Sequence, residues 1–224
     1  MSVEQGKMPE NMSEPAKLGR REQNKRQTRR RLLDAARHLF AERGAVGTTI
    51  EDIADLAGVS RATVFNYFPS KNDLLAALLV SHMDALSVLI DDLLAQELTT
   101  AERIVGVFSD FAQETRKIPG YLRALTGELE KDLATIEIST ERTTGFENEL
   151  LRLLAPGVER GEVRTDYPLP FLAQMIGAVY LSSVRRWRQN PDHDVTETFD
   201  RAARYAADTL APRERRAAGS GRYP

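Results

Sequence analysis

TIEDIADLAGVSRATVFNYF, residues 49–68, reads as two short helices meeting at a sharp corner. Gly58 supplies the positive φ that a tight helix-to-helix turn needs, and Ser60 offers a hydroxyl cap to the second helix. Thr48 and Thr49 offer caps to the first helix. Its opening turn carries Glu51 and Asp52, where the helix dipole favours carboxylates. Ile50, Ile53 and Ala57 make an inward stripe, and Val59 plugs the corner. Val64 and Phe68, at i and i+4, face the same core. At about 100° per residue, Ala62 and Asn66 then point roughly 160° away from Val64, with Thr63 and Phe65 beside them.

An outer face of small and polar groups lets a helix approach the major groove closely. Asn66 suits an adenine edge, and the Thr63 methyl suits a thymine methyl. Arg61 reaches a guanine or a phosphate from the first turn, although its wheel angle lies nearer the core edge. The same spacing also suits a plain αα-corner with a polar surface. The basic run Lys25–Arg26–Gln27–Thr28–Arg29–Arg30–Arg31 tips the balance towards DNA, because arms of this kind contact phosphates or the minor groove.

The charge distribution agrees. Residues 17–71 carry 12 basic and 6 acidic side chains, a balance of +6. From residue 72 onward there are 18 basic and 24 acidic, a balance of −6. Such asymmetry suggests a polyanionic partner for the first part alone, although a solvated basic tail gives the same sums.

Upstream, Leu32, Ala35, Ala36, Leu39 and Phe40 form one apolar stripe on a helix that Gly44 stops. The stretch LDAARHLFAERG (residues 33–44), then Thr48–Thr49–Ile50, Ile53–Ala54, Ala57–Gly58–Val59–Ser60 and TVFNYFPSK (63–71), resembles the DNA-binding module of the TetR repressor family. The resemblance covers about residues 25–75. It implies phosphate contacts for Thr49, Ser60, Tyr67 and Lys71, and a base-reading face of Arg61, Ala62, Thr63 and Asn66. Arg29, Arg30 and Phe65 complete the expected DNA-binding set. Three departures stand out: Ala62 where glycine is common, Phe65 where tyrosine is common, and Tyr67 where histidine is common. Phe65 lacks the usual hydroxyl for phosphate, whereas Tyr67 keeps a donor.

The rest of the chain has helical period throughout, so the expected fold is all-α. A leader, read as disordered, spans residues 1–20, and a helix-turn-helix domain spans 21–70. A helical ligand-binding and dimerisation domain spans 71–211, and a flexible tail spans 212–224. A long helix runs from Ser70 to about Leu94. Others span about Thr100–Lys117, Thr126–Leu154, Phe171–Gln189 and Val195–Leu210. Pro119 closes the first of these, Pro156 and Gly157 close the second, and a weak stretch at Thr140–Gly145 invites a kink.

The last two helices keep broad apolar arcs, with small residues Ala202, Ala203 and Ala206 on the last, suited to a four-helix homodimer interface or to a monomer core. The resemblance implies a cavity in this domain. Its candidates are the aromatic, Met, His and aliphatic groups of the middle helices: His82, Met83, Leu86, Phe108, Phe111, Tyr121, Phe146, Met175, Val179 and Tyr180. Their apolar character points to a hydrophobic or aromatic effector.

Enzyme and metal chemistry find no support. Cysteine is absent, and His38, His82 and His193 lie far apart without a carboxylate set around them. His38 is placed to pair with Asp34, and Glu128, Asp132 and Glu137 read as a solvated face. No phosphate loop or nucleophile elbow appears, and no cofactor is expected. No apolar run of spanning length or signal-peptide type is evident, so no membrane partner and a cytoplasmic location are expected. The resemblance thus implies a repressor that binds palindromic double-stranded operator DNA as a homodimer and is released by a small-molecule effector. A ligand-independent or activating regulator, or a helical adaptor with a basic arm, are the alternatives.

Overall fold

Gly44 and Gly58 both adopt left-handed φ, at 68° and 65°, and each sits just past the end of a helix. The computed structural model describes residues 14–133, 136–190 and 194–212, with side chains at 19–127, 145–190 and 194–212. Among these residues the chain is entirely helical: α1 (Glu14–Arg43), α2 (Ile50–Ala57), α3 (Arg61–Tyr67), α4 (Lys71–Leu94), α5 (Thr100–Lys117), α6 (Pro119–Leu133), α7 (Ile136–Glu159), α8 (Leu169–Gln189) and α9 (Val195–Leu210).

Several expected boundaries shift. α1 begins at Glu14, so part of the segment read as a leader is helical; residues 1–13 lie outside the described residues. The basic run 25–31 is therefore a continuation of α1 rather than an extended arm. Most of the tail also lies outside the described residues. The single helix expected over Thr126–Leu154 is two helices, α6 and α7. No proline or glycine marks the boundary in the sequence, and residues 134–135 between them lie outside the described residues. Pro119 opens α6 instead of merely closing α5, because the first turn needs no proline N–H. Pro156 lies within α7, which continues to Glu159 before Gly161 turns at φ 69°. Packing against α5 favours that extra turn: a Cβ on Gly157 would lie 2.0 Å from the Thr100 hydroxyl oxygen.

The stripe Leu32, Ala35, Ala36, Leu39 and Phe40 is buried with Ile53, Ala57, Val64 and Phe68 in one core that continues into the second half of the chain. α4 bridges the two halves. Its first turn meets the helix-turn-helix module, where the Lys71 ammonium donates to the Thr48 carbonyl at 2.7 Å. Farther on, Leu74, Leu75, Leu78, Leu79, Ile90 and Leu93 are buried. By length and composition α4 is apolar enough to cross a membrane, contrary to the expectation that no such segment exists. Here those residues pack against α1, α5, α6 and α7. α5 packs most extensively on α9, and α7 and α9 both pack on α8.

The start of α5 is tied to the α7–α8 loop. Glu162 accepts from the Thr100 amide at 2.6 Å, from its hydroxyl at 2.7 Å, and from Arg160 at 2.7 Å. These bonds, that from the Arg160 side chain first, lower the Glu162 carboxyl from the ordinary 4.5 to about 2. A lowered folded-state value means the stabilisation is complete above pH 4.5 and fades as pH falls towards 2. Glu162→Gln is expected to lower the melting temperature at pH 7, and the gap to the parent protein should narrow as pH drops through that window. Thermal melts across pH check this; a pH-independent gap refutes the ionic role.

Candidate nucleic-acid interface and ligand cavity

α2 and α3 are too short to persist alone, so caps and burial decide their geometry. Thr49 and Asp52 form a reciprocal capping box. The Thr49 amide donates to Asp52 Oδ2 at 2.8 Å, and the Asp52 amide donates to Thr49 Oγ1 at 3.1 Å. Those bonds hold the Asp52 carboxyl below its usual range, the backbone bond from Thr49 first. Ser60 caps α3 by accepting from the Thr63 amide at 3.1 Å, and its hydroxyl pairs with that of Thr63 at 2.8 Å.

With Val64 fully buried and Phe68 at 3% exposure, α3 turns its other side outward. Ala62, Phe65 and Asn66 are exposed, Thr63 and Tyr67 half-buried. Arg61 is exposed too, but engaged: its guanidinium pairs with Glu51 at 2.8 Å and stands 5.4 Å over the Phe65 ring. Exposed ion pairs of this kind contribute about 0–1 kcal/mol, so Arg61 exchanges Glu51 for another anion at little cost. Arg29 stacks 5.2 Å over Phe68 and Arg30 lies 3.9 Å from Asp34, both on the solvent side of α1. His38 pairs with Glu42 at 3.3 Å rather than with Asp34, because Arg30 takes that carboxylate.

The second site is a cavity of about 480 Å³ enclosed by α4, α5, α6, α7 and α8, with one contribution from α1. Of the ten side chains expected at a ligand site, His82, Met83, Leu86, Phe111, Tyr121, Phe146 and Tyr180 line it. Three do not. Phe108 is fully buried behind the wall, 5.2 Å from the Tyr180 ring and 6.2 Å from Phe199. Met175 and Val179 lie on the opposite side of α8, where they line a surface groove with Phe171 and Tyr205. Helical period named the arcs of α8, but the packing of α5 and α7 chose which arc faces inward.

The polar lining was largely missed in the sequence. Asp110 and Glu114 lie on the same stripe of α5 as Val107, Phe111 and Ile118, so acids interrupting an apolar stripe were a readable signal. Arg37 gave no signal: it lies off the buried stripe of α1, and only the docking of α6 brings it to the cavity. Burial, more than the nearby Arg37 charge, lowers His82 and keeps its imidazole neutral near pH 7. Burial, helped by Glu114, raises Asp110, and burial raises Tyr121 and Tyr180. Among the described residues no cluster of His, Asp or Glu is arranged to hold a metal ion. His193 and the side chains of Glu128, Asp132 and Glu137 lie outside the described residues.

Residues 32–78, the segment that builds this corner, match the profile of the bacterial regulatory proteins, tetR family. By that profile the segment is a TetR-family helix-turn-helix module. The chain is 26% identical to the fatty acid metabolism regulator protein of Bacillus subtilis over 163 residues, 71% of this chain and 82% of that protein. It is also 26% identical over 159 residues to the transcriptional repressor KstR2 of Mycobacterium tuberculosis, 70% of this chain and 80% of that protein. The solved structure of Thermus thermophilus FadR, a TetR-family repressor in complex with lauroyl-CoA, superposes with a TM-score of 0.65 at 27% identity. The match covers 86% of this chain and 100% of that one. Bacillus subtilis FadR, solved with stearoyl-CoA, shares the fold at 22% identity, with a TM-score of 0.66 over 80% of this chain and 98% of its own. These relatives are transcriptional regulators, and residues 32–78 of this chain match the profile of such regulators.

Removing the α3 cap tests the local argument. Ser60→Ala is expected to lower folding stability by about 1 kcal/mol, the usual worth of a hydroxyl N-cap. Urea denaturation measures it; an unchanged midpoint means that burial of Val64 and Phe68 alone holds α3.

Proposed function

We propose that this TetR-family chain is a repressor that binds palindromic operator DNA as a homodimer and is released when an apolar small molecule fills the cavity. One observation carries the reading: Ala62 and Asn66 stand exposed on a two-turn helix whose opposite side is locked into the core by Val64 and Phe68. A helix so presented enters a major groove without unfolding anything. Thr49, Ser60, Tyr67 and Lys71 then meet phosphates, as do Arg29 and Arg30 from α1. Ala62, Thr63, Phe65 and Asn66 lie against base edges, and Arg61 leaves Glu51 for a guanine or a phosphate.

Dimerisation rests on the outer face of α8 and α9. Phe171 at 41%, Met175 at 40% and Tyr205 at 60% exposure share one groove, an apolar surface suited to a second copy. Two copies so joined would set their α3 helices about one DNA turn apart, roughly 34–36 Å. The cavity's size and mostly apolar wall suit a small hydrophobic ligand, and the lauroyl-CoA held by the Thermus thermophilus relative supports an acyl-bearing one. α4 carries the signal, because Lys71 at one end is tied to Thr48 while Leu79, Met83, Leu86 and Leu89 line the cavity. A cytoplasmic location accompanies this role.

Gel shifts and anisotropy titrations against DNA upstream of its own and neighbouring genes test the proposal. Asn66→Ala should relax preference at one base position by about 1–3 kcal/mol. Lys71→Ala should weaken all sequences and flatten the salt dependence by about one unit of slope, besides freeing the Thr48 carbonyl. Equal losses on every sequence in both variants contradict the division of roles. Met175→Glu should turn a dimer into monomers in sedimentation and cut operator affinity; a parent protein that sediments as a monomer removes the interface.

A further inference from the structure

We propose that the polar end of the effector is a carbonyl or carboxylate oxygen, held by Arg37 of the DNA-binding module together with the hydroxyl of Tyr121. This rests on the reading of the cavity as the effector site.

Arg37 is the contribution of α1 to the cavity wall. Its guanidinium stands 5.5 Å over the Tyr121 ring, on the first turn of α6. Tyr121 is 3% exposed, and its buried hydroxyl has no well-formed hydrogen bond. A buried donor left unmet is costly, so the arrangement favours a ligand oxygen that accepts from it. The guanidinium offers further donors to the same oxygen or its neighbour.

The charges around this end decide between an oxygen acceptor and a cation. Facing it are Arg37 from α1, His82 from α4, Glu114 from α5 and Tyr121 from α6. Glu114 is already neutralised by Lys117, 2.8 Å away. Among the described residues no carboxylate pairs with Arg37. Burial favours neutral His82, so Arg37 supplies the positive charge of the wall, which also carries the carboxylates of Asp110, Glu114 and Glu147. Asp110 lies one turn back along α5, where its charge acts on Tyr180 and on Lys117. The wall beyond, with Leu79, Leu86, Leu122, Leu125 and Phe146, suits an aliphatic chain.

The same anchor reports binding to the DNA-binding module directly. α6 meets α1 backbone to backbone: a Cβ on Gly120 would lie 2.6 Å from the Phe40 carbonyl oxygen and 2.7 Å from that of Ala41. Arg37 lies one turn upstream of those carbonyls, so a ligand that draws its guanidinium inward pulls on a helix already wedged against α6.

Four probes with the same twelve-carbon chain test this on the full-length protein: dodecanoate, lauroyl-CoA, 1-dodecanol and dodecylammonium. Trp187, the sole tryptophan, is buried with its ring 6.0 Å from that of Phe111 in the cavity wall, so its fluorescence reads occupancy. Dodecanoate or lauroyl-CoA should bind about tenfold or more tightly than 1-dodecanol, the expected size of a charge-assisted bond. Arg37→Met should erase that advantage while 1-dodecanol changes far less, Arg37→Lys should restore part of it, and Tyr121→Phe should remove a smaller part. Whichever of dodecanoate and lauroyl-CoA shows the Arg37 dependence identifies the free acid or the thioester as the source of the oxygen. Equal affinity for all heads in parent and variants overturns the anchor but leaves the cavity reading intact. Tightest binding of dodecylammonium overturns it in favour of Asp110 or Glu114. No binding by any probe overturns both.

Discussion

Val64 and Phe68 seated against the α1 stripe are the contact from which the rest follows. A helix of seven residues has no stability of its own, so α3 exists because its inner side is buried and its first turn is capped by Ser60. Once that side is fixed, the positions of Ala62, Thr63, Phe65 and Asn66 are no longer adjustable. The exposed surface is small, polar and backed by the cations of α1 as a geometric result of what the core has taken.

The second consequence is that the two halves of the chain are not independent bodies. The core that holds α3 runs on through α4, and two further links join the halves: Lys71 donating to Thr48, and α6 pressed against the end of α1 at Gly120. The cavity therefore shares α4 and α6 with the helix-turn-helix module, so that a displacement of either wall would reach the module. Closely packed interiors transmit such displacements because they deform little. The cavity wall is mostly apolar, and within it His82 lies in the field of both Arg37 and Glu114.

The resemblance to TetR-family modules was legible because several features recur in order over 50 or so residues, from the stripe of α1 to Lys71. Several caps and one stop were equally legible, since Thr49, Ser60, Ser70 and Gly58 act where local chemistry places them, whereas the stop expected at Pro156 and Gly157 lies inside α7. The boundary between α6 and α7 was not, because no proline or glycine marks it in the sequence. Nor were the roles of Phe108, Met175 and Val179. A side chain on an apolar arc reads the same whether the arc faces a cavity, a filled core or a groove open to solvent.

Residue order alone determined the all-helical class, the corner at Gly58 and the outward side of α3, since each depends on contacts and torsions a few residues apart. Tertiary structure alone decided which apolar arcs enclose empty space, and that Arg37 and Tyr121, 84 positions apart in the chain, share one end of it. Those outcomes depend on how helices distant in sequence cross, and no local periodicity encodes the crossing.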